Sequence, residues 1–175
     1  MSPICVKIEM PPYLQKFIIS FSTNKPKLNS EAVELPPRHE YNRVLINMVS
    51  NMRNTHPVDT SKEHIKIRLP YNYIKDVFSY NKLGWDNREK FRQIIKSDFF
   101  LNFKMFLKEA TLSGYNKKEA IELFFLDHNI TEDDLKLESY YRKYHRYLEK
   151  KRASVCDSLF THKVTENVRC KSLKL

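Results

Sequence analysis

The chain has little glycine and little cysteine: of its 175 residues, 2 are glycine and 3 are cysteine. Glycine-rich phosphate loops, both the P-loop and the dinucleotide-binding kind, need several glycines within a few residues, so nucleotide-dependent enzymes are disfavoured. The cysteines are widely spaced and contain no C-x-x-C pair, which indicates neither a disulfide framework nor a zinc site. We expect reduced thiols at Cys5, Cys156 and Cys170.

Long apolar runs are also lacking. No stretch approaches the roughly 18 apolar residues that are needed to cross a bilayer. Charged Lys7 and Glu9 interrupt the first apolar run, which is not typical of a signal peptide. The pattern therefore predicts a cytoplasmic protein that has no membrane partner.

Catalytic and metal-binding motifs are lacking as well. The six histidines fall in six different segments, without an H-x-x-x-H or H-E-x-x-H pair, and no serine or cysteine stands in a nucleophile motif. The acidic run Glu132–Asp134 is best explained by a helix N-terminus, where carboxylates complement the helix dipole. We expect no enzyme activity, no metal and no cofactor.

What the chain does have is positive charge. Lys and Arg number 31 against 21 Asp and Glu, which gives a formal net charge of +10. An excess of this size suits a polyanionic partner such as nucleic acid. Because ribosomal and membrane-surface proteins share such an excess, the kind of partner has to be inferred from the motifs.

A short repeat is the most informative motif. Cys5–Met10 and His64–Leu69 both alternate between apolar and polar residues, and a proline follows each of them, Pro11 and Pro70. Such alternation predicts a half-buried strand in each copy. The residues expected to face inward are Val6, Ile8, Met10, Ile65, Ile67 and Leu69.

Apolar residues at helical spacing follow both strands. They predict two helices in each copy, at Tyr13–Phe21 and His39–Arg53 in the first copy and at about Tyr71–Tyr80 and Asn87–Lys96 in the second. The polar segment Ser22–Pro37 has no period and is expected to be a loop. In the second copy, Asp86 or Asn87 is expected to cap the second helix.

The remainder is predicted to be helical and then disordered. A buried helix is expected over Asp98–Leu112, ended by Gly114 as a glycine C-cap. Residues 113–152 are expected to form a trihelical, helix-turn-helix-like unit, and the basic tail 153–175 is expected to be disordered. The first and third helices of that unit are predicted at Lys117–His128 and Tyr140–Arg152. The second is a short helix capped by Thr131, with Asp134 three residues on. Asn129 is expected in the turn, at the position where a glycine is usual.

The strand, the proline and the two helices that follow resemble the ribbon-helix-helix family of Arc- and MetJ-type repressors. In that family two strands pair into an antiparallel ribbon that lies in the DNA major groove. The resemblance implies a mainly α fold with a small two-stranded antiparallel β-ribbon, a tandem, pseudodimeric ribbon-helix-helix domain over residues 1–112. Its copies would be about 4–54 and 62–108, with the strands at 5–10 and 64–69 as antiparallel neighbours.

The resemblance also implies which residues touch DNA. The outward strand residues that would contact base edges are Lys7, Glu9, His64, Lys66 and Arg68. The residues at the start of each second helix that would contact phosphate are Arg38, His39, Asn87 and Arg88.

The last predicted helix carries the densest positive charge. Its cations are expected to contact phosphate, or alternatively only to face water: Arg142, Lys143, Arg146, Lys150, Lys151 and Arg152. Tyr141, Tyr144 and Leu148 are expected to form its apolar face. His145, Tyr140 and Tyr147 could add phosphate hydrogen bonds or stacking on unpaired bases.

The expected function is sequence-specific binding of double-stranded DNA, as a transcriptional regulator or an accessory factor of a mobile element. The protein would be a monomer or a homodimer. Three alternatives stay open: a small α+β domain whose charges are only solvated, a protein-interaction adaptor of a larger assembly, and a binder of RNA or single strands.

Overall fold

A computed structural model describes residues 4–24, 31–49, 63–70 and 82–149. This part of the chain is mainly helical, with one small two-stranded antiparallel sheet, as predicted. The strands are β1 (Cys5–Glu9) and β2 (His64–Arg68), and the helices are α1 (Pro12–Ser20), α2 (Glu40–Met48), α3 (Trp85–Leu112), α4 (Lys117–Asp127) and α5 (137–149). The helix predicted at Tyr71–Tyr80 and the tail lie outside the described residues. α2 ends at Met48, with the extended residue Val49 as its C-cap, so the prediction that this helix continues to Arg53 was wrong.

The chain divides into two compact units, Met1–Leu135 and Lys136–Leu175. The first unit contains the sheet and α1 to α4, and the second contains α5. The predicted grouping of α4 with α5 in one trihelical unit stays a prediction.

The two strands are antiparallel neighbours, which confirms the pairing predicted from the repeat. Val6 lies opposite Ile67 and Ile8 opposite Ile65, and each of these four side chains is at most 3% exposed. One-sided burial fixes the register, because a slip by one residue would turn every apolar side chain towards water.

The far edge of β2 has a backbone partner as well. Val33 donates its N–H to the carbonyl of Lys66 and accepts from the N–H of Arg68, at 2.8 and 2.9 Å. Asn24 holds this segment in place, since its side chain donates to the Ala32 carbonyl at 2.8 Å. The segment predicted as a loop therefore contains a β-bridge to the sheet. Only one residue forms the bridge, so no alternating pattern in the sequence indicated it.

α3 is one helix of 28 residues, and the prediction of two helices here was wrong. No glycine or proline lies between its ends, so the backbone hydrogen bonds continue through the expected break near Ser97. Its N-cap is Gly84, not Asp86 or Asn87. Because every fourth residue faces the core, α3 packs against α1, α2, α4 and β1; the buried residues are Phe91, Ile95, Phe99, Phe103, Leu107 and Ala110.

Aromatic rings on these helices form the centre of the first unit. The ring of Phe99 lies 5.2 Å from those of Tyr13 and Phe17 and 5.5 Å from that of Phe124, with edge-to-face geometry in each case. Such pairs add roughly 0.5–1.5 kcal/mol each beyond the burial of apolar area. Phe99 thus joins α1, α3 and α4.

Two helix ends use left-handed residues, as predicted. Gly114 has φ +95° after α3, and Asn129 has φ +53° after α4. At the first, the N–H of Tyr115 bonds the Ala110 carbonyl at 3.1 Å, the Schellman arrangement. The short helix expected after Thr131 is only a turn at residues 132–134.

Candidate nucleic-acid interface

The solvent side of the sheet consists of three cross-strand pairs, Cys5 with Arg68, Lys7 with Lys66 and Glu9 with His64. We call these six residues the ribbon face. All five predicted base-contacting residues lie on it. The structure therefore brings them together, while their inward neighbours in the strands are buried.

Lys7 and Lys66 form the central pair of the ribbon face. The Met10 N–H donates to the Glu63 carbonyl, and the Leu69 N–H donates to the Ile4 carbonyl. Because hydrogen-bonded and non-hydrogen-bonded pairs alternate along an antiparallel ladder, the central pair is a non-hydrogen-bonded one. In such pairs the Cα atoms are about 4.5 Å apart and the side chains lie close together. The two lysine side chains therefore leave the sheet at directly opposite positions, where like charges oppose pairing by roughly 0.2–1 kcal/mol.

Arg68 has a carboxylate neighbour that the sequence did not indicate. Its guanidinium forms an ion pair with Glu34, and the two side chains are 49% and 39% exposed. Glu34 reaches this position because Val33 pairs with β2. Arg68 therefore has to leave Glu34, or share it, before it can contact another anion.

The two ends of the ribbon face differ from its centre. At one end, burial raises the pKa of the Cys5 thiol, against the opposing effect of nearby Arg68 and Lys66. At the other end, the carboxylate of Glu9 lies across the sheet from His64, and both residues are half-buried. Positive charge is therefore concentrated at Lys7, Lys66 and Arg68.

The residues predicted to bind phosphate in the first copy have different environments. Arg38 is exposed. His39 is the N-cap of α2, where its Nδ1 accepts the backbone N–H of Tyr41 at 3.2 Å, and its ring lies 5.3 Å from that of Phe21. Burial lowers the pKa of His39, although Glu40 acts in the opposite direction. Because the His39 ring is neutral and already accepts one helix N–H, Arg38 is the one of these two residues that is available to phosphate.

In the second copy, Asn87 and Arg88 lie in the first turn of α3 and are half-buried. The side-chain amide of Asn87 donates to the Met48 carbonyl at 2.8 Å, so it satisfies the end of α2. Sequence reasoning missed this contact because it joins residues 39 apart.

The second unit presents its own basic surface on α5. Arg142 pairs with Glu138, and the Lys143 ammonium lies 5.2 Å from the centre of the Tyr140 ring. Arg146 has no carboxylate within ion-pair distance among the residues described. Lys150 lies outside the described residues.

The apolar face of α5 differs from the predicted one. Tyr140 and Tyr144 are each 6% exposed, whereas Tyr141 is 37% exposed. The prediction was right for Tyr144 and wrong for Tyr141. Tyr141 instead lies beside His145, with ring centroids 6.4 Å apart.

Comparison of the chain with protein-family models gave no matching family, and the comparisons with curated proteins and with solved structures gave no match either. The ribbon-helix-helix resemblance therefore stays a prediction. Within the described ranges, no helix is both long and apolar enough to span a membrane. In the same ranges, no three His, Cys, Asp or Glu side chains are grouped as a metal site requires.

Proposed function

We propose that this protein binds double-stranded DNA through the ribbon face, in the major groove. The observation that carries the proposal is the pairing of Lys7 with Lys66 directly across the sheet. A pair of like charges opposes strand pairing, and an anionic partner that contacts both ammonium groups removes this cost. The net charge of +10 acts in the same direction over longer distances.

Two paired strands are the element that this mode of binding requires. The major groove is about 12 Å wide and admits a two-stranded ribbon. From there, Lys7 and Lys66 can reach the O6 and N7 acceptors of guanine, and Arg68 can make a bidentate contact once it is released from Glu34. Residues that contact base edges give sequence preference, which is the property of a transcriptional regulator or an accessory factor of a mobile element.

Phosphate contacts would come from other residues. Arg38 is exposed at the start of α2, and Arg146 is exposed on α5 in the second unit. Such contacts fix orientation and raise affinity without reading the sequence.

Gel shifts with random duplexes at two salt concentrations test the proposal. The Lys7→Gln/Lys66→Gln double variant should bind the preferred duplex more weakly, by about 1–3 kcal/mol for each base contact that is lost, and should discriminate less between sequences. Lys117→Gln/Lys118→Gln on α4 is the matched control, because it removes the same charge away from the ribbon face. Selection from a random duplex pool should give a motif for wild type.

Two results would overturn the proposal. One is the absence of duplex binding by wild type at low salt, which would favour a protein-interaction adaptor. The other is an equal loss of affinity in the ribbon variant and in the α4 control, since the ribbon lysines would then contribute to binding only through the net charge of the protein.

A second candidate function is the binding of single-stranded nucleic acid by α5. It is favoured by the exposed ring of Tyr141 beside His145, with Arg142 and Arg146 lining the same surface. Base–aromatic stacking contributes roughly 1–3 kcal/mol per base. Tyr141→Ala should then weaken single-strand binding about tenfold or more and leave duplex binding unchanged, and the opposite pattern would exclude this function.

A further inference from the structure

The first turn of α2 is capped by an imidazole. His39 is the N-cap of this helix, and its Nδ1 accepts the backbone N–H of Tyr41 at 3.2 Å. The usual N-cap side chains, those of Asn, Asp, Ser and Thr, keep their acceptor oxygens between about pH 8 and pH 5. An imidazole that is protonated on both nitrogens has no acceptor left. The hydrogen bond at the start of α2 therefore exists only while the His39 ring is neutral.

The surroundings of the ring hold it over the start of the helix. The His39 ring lies 4.7 Å from the Tyr41 ring and 5.3 Å from the Phe21 ring at the end of α1. Because Nδ1 accepts a hydrogen bond, the proton of the neutral ring is on Nε2. Tyr41 is itself 4% exposed and is hydrogen-bonded to Asp98 of α3. When Nδ1 takes up a proton, the two N–H groups face each other and the cap is lost.

The charges around His39 act in both directions. Glu40 favours the protonated ring, but burial disfavours it more strongly, and the pKa of His39 is lowered. From α1 the ring meets the uncharged Phe21, and on the other side of His39 the exposed Arg38 carries a further positive charge. A lowered histidine pKa means that the folded state binds the proton less readily than the unfolded chain. The fold therefore loses stability as the pH falls below the ordinary histidine value.

We propose that His39 is an acid-sensitive switch of the α2 start: the neutral imidazole caps the helix at about pH 7 and above, and protonation removes the cap and opens the first turn. The opening is local. The side-chain amide of Asn42 still donates to the Pro36 carbonyl at 2.8 Å, and the rest of α2 packs against α3. The proposal does not depend on DNA binding, because it concerns the free protein and uses none of the residues of the ribbon face.

Nuclear magnetic resonance of the full chain, titrated from about pH 8 to pH 5, tests the switch. The His39 ring should begin as the Nε2–H tautomer, and its titration midpoint should lie below the ordinary histidine value of about 6.5. The protection of the Tyr41 amide against solvent exchange, corrected for the intrinsic effect of pH, should fall about fivefold, which corresponds to a capping contribution of about 1 kcal/mol. Constant protection while the ring takes up its proton, or a ring that stays neutral throughout, would overturn the proposal.

Three variants separate the cap from other effects of pH. His39→Asn keeps an acceptor that does not titrate, so the Tyr41 amide should stay protected throughout. His39→Ala has no cap, and it should show at about pH 8 the low protection that wild type shows in acid. His145→Asn in the second unit is the matched control, because it removes one imidazole elsewhere and should leave the wild-type behaviour of Tyr41 unchanged. An equal fall of protection in wild type and His39→Asn would refute the switch.

Urea denaturation measures how the switch affects the stability of the fold. Since an unfolded histidine titrates near pH 6.5, His39 can raise the unfolding equilibrium constant by up to about tenfold between about pH 7.5 and pH 5.5. The rise should be smaller in His39→Asn than in wild type, because the other titrating groups are common to both proteins. The same rise in both proteins would also overturn the proposal.

Discussion

The ion pair between Glu34 and Arg68 competes with DNA for the guanidinium, so Glu34→Gln should tighten DNA binding. Both side chains are about half exposed, 49% for Arg68 and 39% for Glu34. A pair in that environment is worth at most about 1 kcal/mol. Removing it should therefore raise affinity for the preferred duplex by up to about fivefold. Arg68→Gln should lower affinity by about 1–3 kcal/mol, the value of a bidentate base contact.

Fluorescence anisotropy with the selected duplex, combined in a double-mutant cycle, separates this effect from general charge. The gain from Glu34→Gln should disappear in the Arg68→Gln background, because the two residues act through one contact. Glu122→Gln on α4 is the control for the loss of one negative charge. The reasoning is refuted if Glu34→Gln gives the same gain with and without Arg68, or no more gain than Glu122→Gln.

Three further predictions concern stability and are checked by urea denaturation. Phe99→Ala should cost about 3–5 kcal/mol, because it removes the ring that joins three helices; a loss below about 1 kcal/mol would contradict the proposed centre of the core. Burial alone would raise the pKa of Asp134, but hydrogen bonds from Lys16 and Thr131 outweigh it and lower the pKa. A carboxylate with a lowered pKa stabilises the fold at pH values above the ordinary pKa of Asp, and this stabilisation is lost as the pH falls through the pKa of the folded state. Asp134→Asn should therefore lower the free energy of unfolding by about 1–3 kcal/mol at pH 7 and make the loss of stability in acid less steep. Gly114→Ala should cost about 1–2 kcal/mol through its positive φ alone, since nothing lies within 4 Å of an added Cβ; an unchanged midpoint would show that the turn can relax.

The sheet could be predicted from the sequence because its information is local. Alternation over Cys5–Met10 and His64–Leu69 fixes which side of each strand is buried. Since a lone strand of this length is unstable, the repeat then implies that the two copies pair. The left-handed residues were predictable for a similar reason, because only a few residue types adopt positive φ at low cost.

The rest depended on contacts between distant segments. Glu34 stands in an aperiodic stretch, and only the bridge from Val33 to β2 places its carboxylate beside Arg68. The structural use of Asn87, whose amide satisfies a carbonyl at the end of α2, has no local signal either. On α5 one of the predicted apolar positions was wrong. Each residue turns the helix by 100°, so choosing Tyr141 in place of Tyr140 displaces that position by more than a quarter turn, while Tyr144 is buried as predicted.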